Sequence, residues 1–272
     1  MAEFLNEEMV NSVLEQQIIV NDKFYKSFLP SKEEILYKNP NIPWANNIIY
    51  YNLIEYGVPG SGKTNTANSI AGLAVDKYGE ENVNCCFSED GDLELLIARG
   101  LKPKMVNILF VDNATLTKQK DEVWMKWFRL RQRLAELYKQ SNGYILAITS
   151  LHRYFGVNIN LRSIIDGIII KDISMNPYDK NALKKIIGNA DLTEFAAQLS
   201  KHRIENRKPG DYSVYVSRTE AGILNLPPRE KFHFKVPPTM IELLASMIEK
   251  DRLKKKQEQE KEKPKFAQQV LL

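Results

Sequence analysis

The stretch NIIYYNLIEYGVPGSGKTNTANSI, residues 47–70, decides how the rest of the chain is read. Its first ten residues, rich in Ile and Tyr, read as a buried strand, and residues 63–77 read as a helix. Between them Gly57-Val58-Pro59-Gly60-Ser61-Gly62-Lys63-Thr64 matches G-x-x-x-x-G-K-[ST] at a strand-to-helix junction. Each element of that pattern has a physical task. The glycines let backbone N–H groups wrap phosphate oxygens without a Cβ in the way. The helix that starts after Gly62 points the positive end of its dipole at the same anion. Lys63 brings a point charge to the β- and γ-phosphates, and the Thr64 hydroxyl takes one coordination site on Mg²⁺. The expected ligand is ATP with Mg²⁺, held along Gly57, Val58, Pro59, Gly60, Ser61, Gly62, Lys63, Thr64 and Asn65.

Beyond this loop the chain alternates strand and helix. VNCCFS (83–88) is a second strand, LELLIAR (93–99) a short helix, and VNILFV (106–111) a third strand ending at Asp112. The stretch 120–140 carries Val123, Trp127, Leu130, Leu134 and Leu137 on one face and predicts one long amphipathic helix. YILAIT (144–149) and GIIIKDI (167–173) read as further strands. This rhythm predicts an α/β fold, a RecA-like P-loop NTPase with a mostly parallel sheet flanked by helices. After Asn176 come helices near 178–187 and 191–204. A hairpin follows in DYSVYVSRTEAGILNLP (211–227), turning near Glu220–Gly222 and closing the sheet antiparallel. A last strand is expected over 231–236.

Residues 1–44 read as a helical accessory region. Phe4, Leu5, Met9, Val10, Val13, Leu14 and Ile18 recur at helical spacing, and Leu29-Pro30-Ser31 ends one helix and caps another, with Glu33 and Glu34 in its first turn. The expected division is therefore 1–44 accessory, 45–237 P-loop ATPase domain, and 238–272 C-terminal helix and charged tail. Between Glu249 and Lys265 eight Lys or Arg face five Asp or Glu, which accounts for most of the net charge of +4. The remainder is nearly neutral, so composition alone does not announce a nucleic-acid binder. The two cysteines, Cys85 and Cys86, are adjacent on a strand and point to opposite faces, so they read as small buried residues in a reducing compartment. The three histidines show no metal-ligand spacing. No secretory leader is expected at the N-terminus, no apolar run reaches the ~20 residues of an integral membrane segment, and the reading is cytoplasmic.

Candidate catalytic groups follow from the strand ends, because ligands of open parallel sheets sit at the carboxyl ends of the strands. Asp112 ends the third strand where a Walker B carboxylate belongs, and it joins Thr64 as a candidate Mg²⁺ ligand. The next residue is Asn113, which orients water but cannot take its proton. Glu89, at the end of the second strand, is the candidate general base, because RecA-like recombinases carry a catalytic glutamate at a comparable strand end. Thr149, at the end of the fourth strand, is a candidate γ-phosphate sensor. Arg153 and Arg162 are candidate arginine fingers.

The order of these parts resembles the FtsK/HerA superfamily of DNA-pumping ATPases, which includes chromosome translocases, conjugation motors and viral genome-packaging ATPases. The resemblance covers residues 47–236 and rests on GVPGSGKT, on ILFVDN, on TSLHRYFGVNINLRSIIDGIII and on the terminal hairpin. Two positions depart from the family pattern: His152 stands where glutamine is usual, and Asn113 where glutamate is usual. The resemblance implies a homo-oligomeric ring, typically a hexamer, with double-stranded DNA in its channel. A protein partner is a further expectation for the N-terminal helix or the C-terminal tail. The alternatives are an AAA+ type initiator or helicase loader, against which the hairpin argues, and a slow nucleotide-binding switch, which Asn113 keeps open. A metabolic kinase would need a lid with clustered arginines that this sequence lacks.

Overall fold

Strands made of unbroken Ile, Leu and Val runs need cover on both faces, and the chain supplies it with helices. The computed structural model describes residues 19–36, 47–88, 93–112, 121–140, 142–152, 165–173, 177–206 and 211–237, with 248–249 and 252–253 beyond them. The chain divides into two units, Met1–Val236 and Pro237–Leu272. In the second unit residues 248–249 and 252–253 are helical, and Ile248 and Leu253 are exposed.

The first unit contains β1 (Ile48–Tyr56), β2 (Val83–Ser88), β3 (Val106–Val111), β4 (Gly143–Leu151), β5 (Gly167–Ile170), β6 (Tyr212–Ser217) and β7 (Ala221–Asn225). They form one sheet in the order β2-β3-β4-β1-β5-β6-β7. The first five strands are mutually parallel, and β6 and β7 are antiparallel. β4 lies along the whole of β1, from Ile48 opposite Gly143 to Tyr56 opposite Leu151. The strand that feeds the glycine loop is thereby separated from β3 by one intervening strand, so the tips of β1, β4 and β3 sit side by side.

Strand alternation sorts the side chains into two cores. Leu53, Ile108, Phe110, Leu146, Ile148 and Ile169 face α1 (Asn21–Phe28), α2 (Lys32–Leu36) and α3 (Lys63–Tyr78). Ile54, Leu109, Val111, Ile145, Ala147 and Ile170 face α4 (Leu93–Arg99), α5 (Asp121–Phe128), α6 (Leu130–Tyr138), α7 (Pro177–Ile187) and α8 (Ala190–Asn206). Cys85 and Cys86 are buried, free and on opposite faces.

Several sequence expectations meet a different backbone. The amphipathic stretch 120–140 is two helices, α5 and α6, because the chain tightens at Arg129, whose N–H bonds Lys126 O at 3.1 Å. Trp127, Leu130 and Leu134 stay on the core face, while Leu137 turns out to solvent. The hairpin turns earlier than expected, at 218–220, where Ser217 Oγ accepts from Glu220 N at 3.1 Å and Ser217 N donates to Glu220 O at 2.7 Å. The strand expected at 231–236 is a single bridge between Lys235 and Cys86. Residues 226–235 form a strap over α3 instead, because their backbone groups are taken by α3 side chains. Ser69 Oγ donates to Pro227 O, Asn68 Nδ2 to Lys231 O, and His233 N to Asn68 Oδ1, at 2.7, 2.8 and 2.9 Å.

The apolar stripe over residues 4–18 lies outside the described residues. Of the region expected as accessory, α1 and α2 contribute to the core of the first unit: Phe28 packs edge-on against Tyr51 and Tyr215. Ser31 caps α2 through a reciprocal pair, Ser31 N to Glu34 Oε2 at 2.6 Å and Glu34 N to Ser31 Oγ at 3.1 Å. The carbonyls of Phe28, Leu29 and Pro30, which α1 cannot satisfy itself, accept from Tyr144, Lys77 and Tyr78.

Candidate nucleotide-binding site

The loop between β1 and α3 owes its shape to two left-handed glycines. Gly60 has φ +77° and Gly62 φ +91°, conformations in which a Cβ meets its own backbone. Gly62 is also the N-cap of α3, so the helix starts at Lys63 with its first N–H groups turned toward the loop. The loop opens on a cavity of about 670 Å³ lined by Pro59, Gly60, Gly62, Lys63, Thr64, Asn65, Asp112 and His152.

Three chemically distinct groups meet there. Lys63 Nζ donates to Gly57 O at 2.7 Å and Val58 O at 3.1 Å and stands 3.0 Å from His152 Nδ1. Those three bonds and, first among the nearby carboxylates, Asp112 hold an ammonium in a buried position. Burial lowers its pKa, and the carboxylates oppose that shift. His152 Nδ1 also lies 3.2 Å from Gly57 O, but a nitrogen that accepts from an ammonium carries no proton to donate. The ring is thus assigned as the neutral Nε2–H tautomer. Its pKa is lowered, first by burial and then by the Lys63 charge. On the other wall Thr64 Oγ1 donates to Asp112 Oδ2 at 3.1 Å, and Asp112 N is fixed by Ser88 O at the tip of β2. A hydroxyl and a carboxylate in contact at the mouth of an anion loop fit a hard divalent cation such as Mg²⁺. Among the described residues no cluster of three or more His, Cys, Asp or Glu suggests another metal site.

The candidate residues divide into three groups. Gly60, Gly62, Lys63, Thr64, Asn65, Asp112 and Pro59 line one cavity, while Gly57, Val58 and Ser61 shape the loop behind it. Thr149 is fully buried, level with Ile54 in the sheet and on the α4–α8 side, and is not among the lining residues; His152, just past the β4 tip, is. Glu89, Asn113, Arg153 and Arg162 lie outside the described residues.

Four further polar residues sit beneath the loop. Glu55, two residues before Gly57, is 0% exposed, and among the described residues neither carboxylate oxygen has a hydrogen-bond partner. Burial raises its pKa well above the usual carboxylate range, opposed by Lys171 and Lys63. Lys171 is buried in turn, and its pKa is lowered to about 8. Asp172 accepts from Val58 N at 2.9 Å and from Arg203 Nε at 3.0 Å. The signal for Glu55 and for Lys171-Asp172 was in the sequence as charges inside or against apolar runs, NLIEY and GIIIKD. Arg203 carried none, being one of several basic residues on a polar helix end.

No protein-family model and no curated protein matches the chain. Solved structures do. The genome packaging NTPase B204 from Sulfolobus turreted icosahedral virus 2, in complex with sulfate, is 13% identical, with 71% of this chain and 100% of that one covered and a TM-score of 0.41. The cytoplasmic domain of the Thermomonospora curvata type VII secretion ATPase EccC is 13% identical, covering 70% of this chain and 25% of that one, with a TM-score of 0.38. The pCW3 conjugation coupling protein TcpA, in monomer form with ATPγS, is 13% identical over 68% of this chain and 61% of that one, with a TM-score of 0.37. The fold class follows from this chain's own features. A parallel β2-β3-β4-β1-β5 order, a glycine loop joining β1 to α3, and an antiparallel end at β6 and β7 make it a RecA-like P-loop NTPase fold.

Proposed function

We propose that this chain is a Mg-ATP-hydrolysing motor of the FtsK/HerA type, which translocates or packages double-stranded DNA as an oligomeric ring, with the hexamer as its expected size. The observation that carries the ATPase reading is the convergence of Lys63, Thr64 and Asp112 on one cavity at the mouth of a left-handed glycine loop. Backbone N–H groups of the loop and the first turn of α3 bind the β- and γ-phosphates, and Lys63 exchanges its bonds to Gly57 O, Val58 O and His152 for phosphate oxygens. Thr64 and Asp112 would hold Mg²⁺, which when bound neutralises charge developing on the transferred phosphoryl group. His152, already in contact with Lys63, takes the position of γ-phosphate sensor. The antiparallel hairpin joined to β5 supports the motor reading over an AAA+ initiator or loader, whose region after the core would be a purely helical lid. Among the described residues no helix is long and apolar enough to cross a membrane.

Turnover needs a base, and Glu89 is proposed for it, with Arg153 and Arg162 as candidate fingers toward a neighbouring subunit. General-base assistance typically contributes about 10²–10⁴-fold, so Glu89→Gln is expected to slow hydrolysis by that order with nucleotide affinity unchanged. Asn113→Glu in the native background then raises the rate little. The reverse pattern, a harmless Glu89→Gln and a strongly activating Asn113→Glu, identifies a slow nucleotide switch. Steady-state phosphate release from these two variants and their combination, with and without double-stranded DNA, separates the two readings.

A further inference from the structure

Gly57 is the last residue of the β1 segment held by the sheet, its N–H donating to Leu151 O at 3.1 Å, while Lys171 N donates to Tyr56 O at 2.8 Å from the other side. Val58 is therefore the first residue of the phosphate loop to leave the sheet, and it is held at both ends. Its carbonyl accepts from Lys63 Nζ, and its N–H donates to Asp172 Oδ1. Gly57 permits this approach: a Cβ there would stand 3.1 Å from the same carboxylate oxygen and 2.4 Å from Ser61 Oγ. The second carboxylate oxygen of Asp172 accepts from Arg203 Nε at 3.0 Å, in the last turn of α8. One turn earlier Ser200 Oγ accepts from Ile173 N at 2.9 Å and donates to Ile173 O at 3.1 Å. Thus α8 grips two consecutive residues beside the loop, and the grip fixes where the Asp172 carboxylate points.

A carboxylate 1% exposed is costly unless charged partners and hydrogen bonds compensate it. Burial pushes the pKa of Asp172 up, and the Val58 bond and Arg203 are the leading forces holding it down. Binding a phosphate draws Lys63 away from Gly57 O and Val58 O. Val58 O then keeps only the loop's own bond from Ser61 N at 3.2 Å, and the Asp172 bond to Val58 N is what ties the peptide to the rest of the fold. We infer that Asp172, oriented by Arg203, is a positioning residue that fixes the first peptide of the phosphate loop and so sets nucleotide affinity. This rests on the ATP reading of the same site.

The test uses the full-length chain with Arg203→Met, Arg203→Lys and the double variant Asp172→Ala/Arg203→Met, which buries no unpaired charge and so keeps a folded comparison available. Hydrogen bonds to charged groups are worth enough to change affinity by about tenfold or more. Arg203→Met and the double variant are expected to raise the Kd of N-methylanthraniloyl-ATP and the KM of ATP by that factor. The kcat should stay within about threefold, the pattern of lost uniform binding. Arg203→Lys recovers most of the loss. Amide hydrogen exchange at Val58 is faster in both weakened variants. A folded double variant with unchanged Kd and unchanged Val58 exchange overturns the proposal, as does a lowered melting temperature with neither of those readouts altered. If the native chain binds no nucleotide, the ATP reading fails by itself, and Val58 exchange still decides whether Arg203 and Asp172 hold the loop.

Discussion

Replacing Lys63 with Ala is expected to reduce ATP turnover to background while the protein still melts cooperatively near the native temperature. Lys63 is buried, yet among the described residues every bond it makes is to a loop carbonyl or to His152. Its removal therefore costs the sheet little. The loss in rate should be about 10²–10³-fold or more, the usual effect of deleting one preorganised group that stabilises charge in the transition state. Gly57 O and Val58 O lose a donor in the variant, but Val58 O keeps its bond from Ser61 N at 3.2 Å, and His152 Nδ1 stays within 3.2 Å of Gly57 O and can donate to it once the ammonium is gone. A folded Lys63→Ala protein that hydrolyses ATP at the native rate removes the phosphate-loop assignment.

Asp112→Asn has the second largest expected effect, and it separates binding from chemistry. The loop amides and the α3 dipole, which supply much of the binding free energy, are untouched by the change. Hydrolysis should fall by about 10²-fold or more, because the neutral amide holds a divalent cation poorly. The Kd for ATP should change far less than the rate. Asparagine keeps the size of the side chain and can still meet Thr64 Oγ1, so the tip of β3 remains in register with β4. Phosphate release and equilibrium nucleotide binding measured across a range of Mg²⁺ concentrations read both quantities. Native hydrolysis by this variant would mean that the acidic group of the site lies elsewhere.

How much of this was legible in the sequence depended on whether the signal was local. The loop itself was fully legible, because a left-handed glycine, a helix N-cap and a lysine at fixed spacing are consequences of adjacent residues. The parallel strands were legible for the same reason: Ile-, Val- and Leu-rich runs need burial on both faces, although the run expected over 167–173 is a strand only over Gly167–Ile170. What escaped were mostly features decided by distant partners. The break at Arg129 is one tightened turn, Arg129 N to Lys126 O, which no period of apolar residues encodes. The 231–236 segment reads as a strand by composition, yet it straps α3 because Asn68 and Ser69 take its backbone groups. Thr149 and His152 illustrate the limit within the site. Both belong to the end of β4, but which one meets the loop depends on the register between β4 and β1, where Tyr56 pairs with Leu151. That register brings the residue after Leu151 level with Gly57 and leaves Thr149 inside the sheet. Asp172 and Arg203 are 31 positions apart and meet only through the packing of α8 against the end of β5.

The measurement that bears most directly on the account is steady-state phosphate release from ATP by the native full-length chain, with Mg²⁺ present or chelated and with or without double-stranded DNA. The expected result is Mg²⁺-dependent release that double-stranded DNA accelerates and that Lys63→Ala abolishes. Release that is absent under all four conditions, or that proceeds equally well in Lys63→Ala, would contradict it.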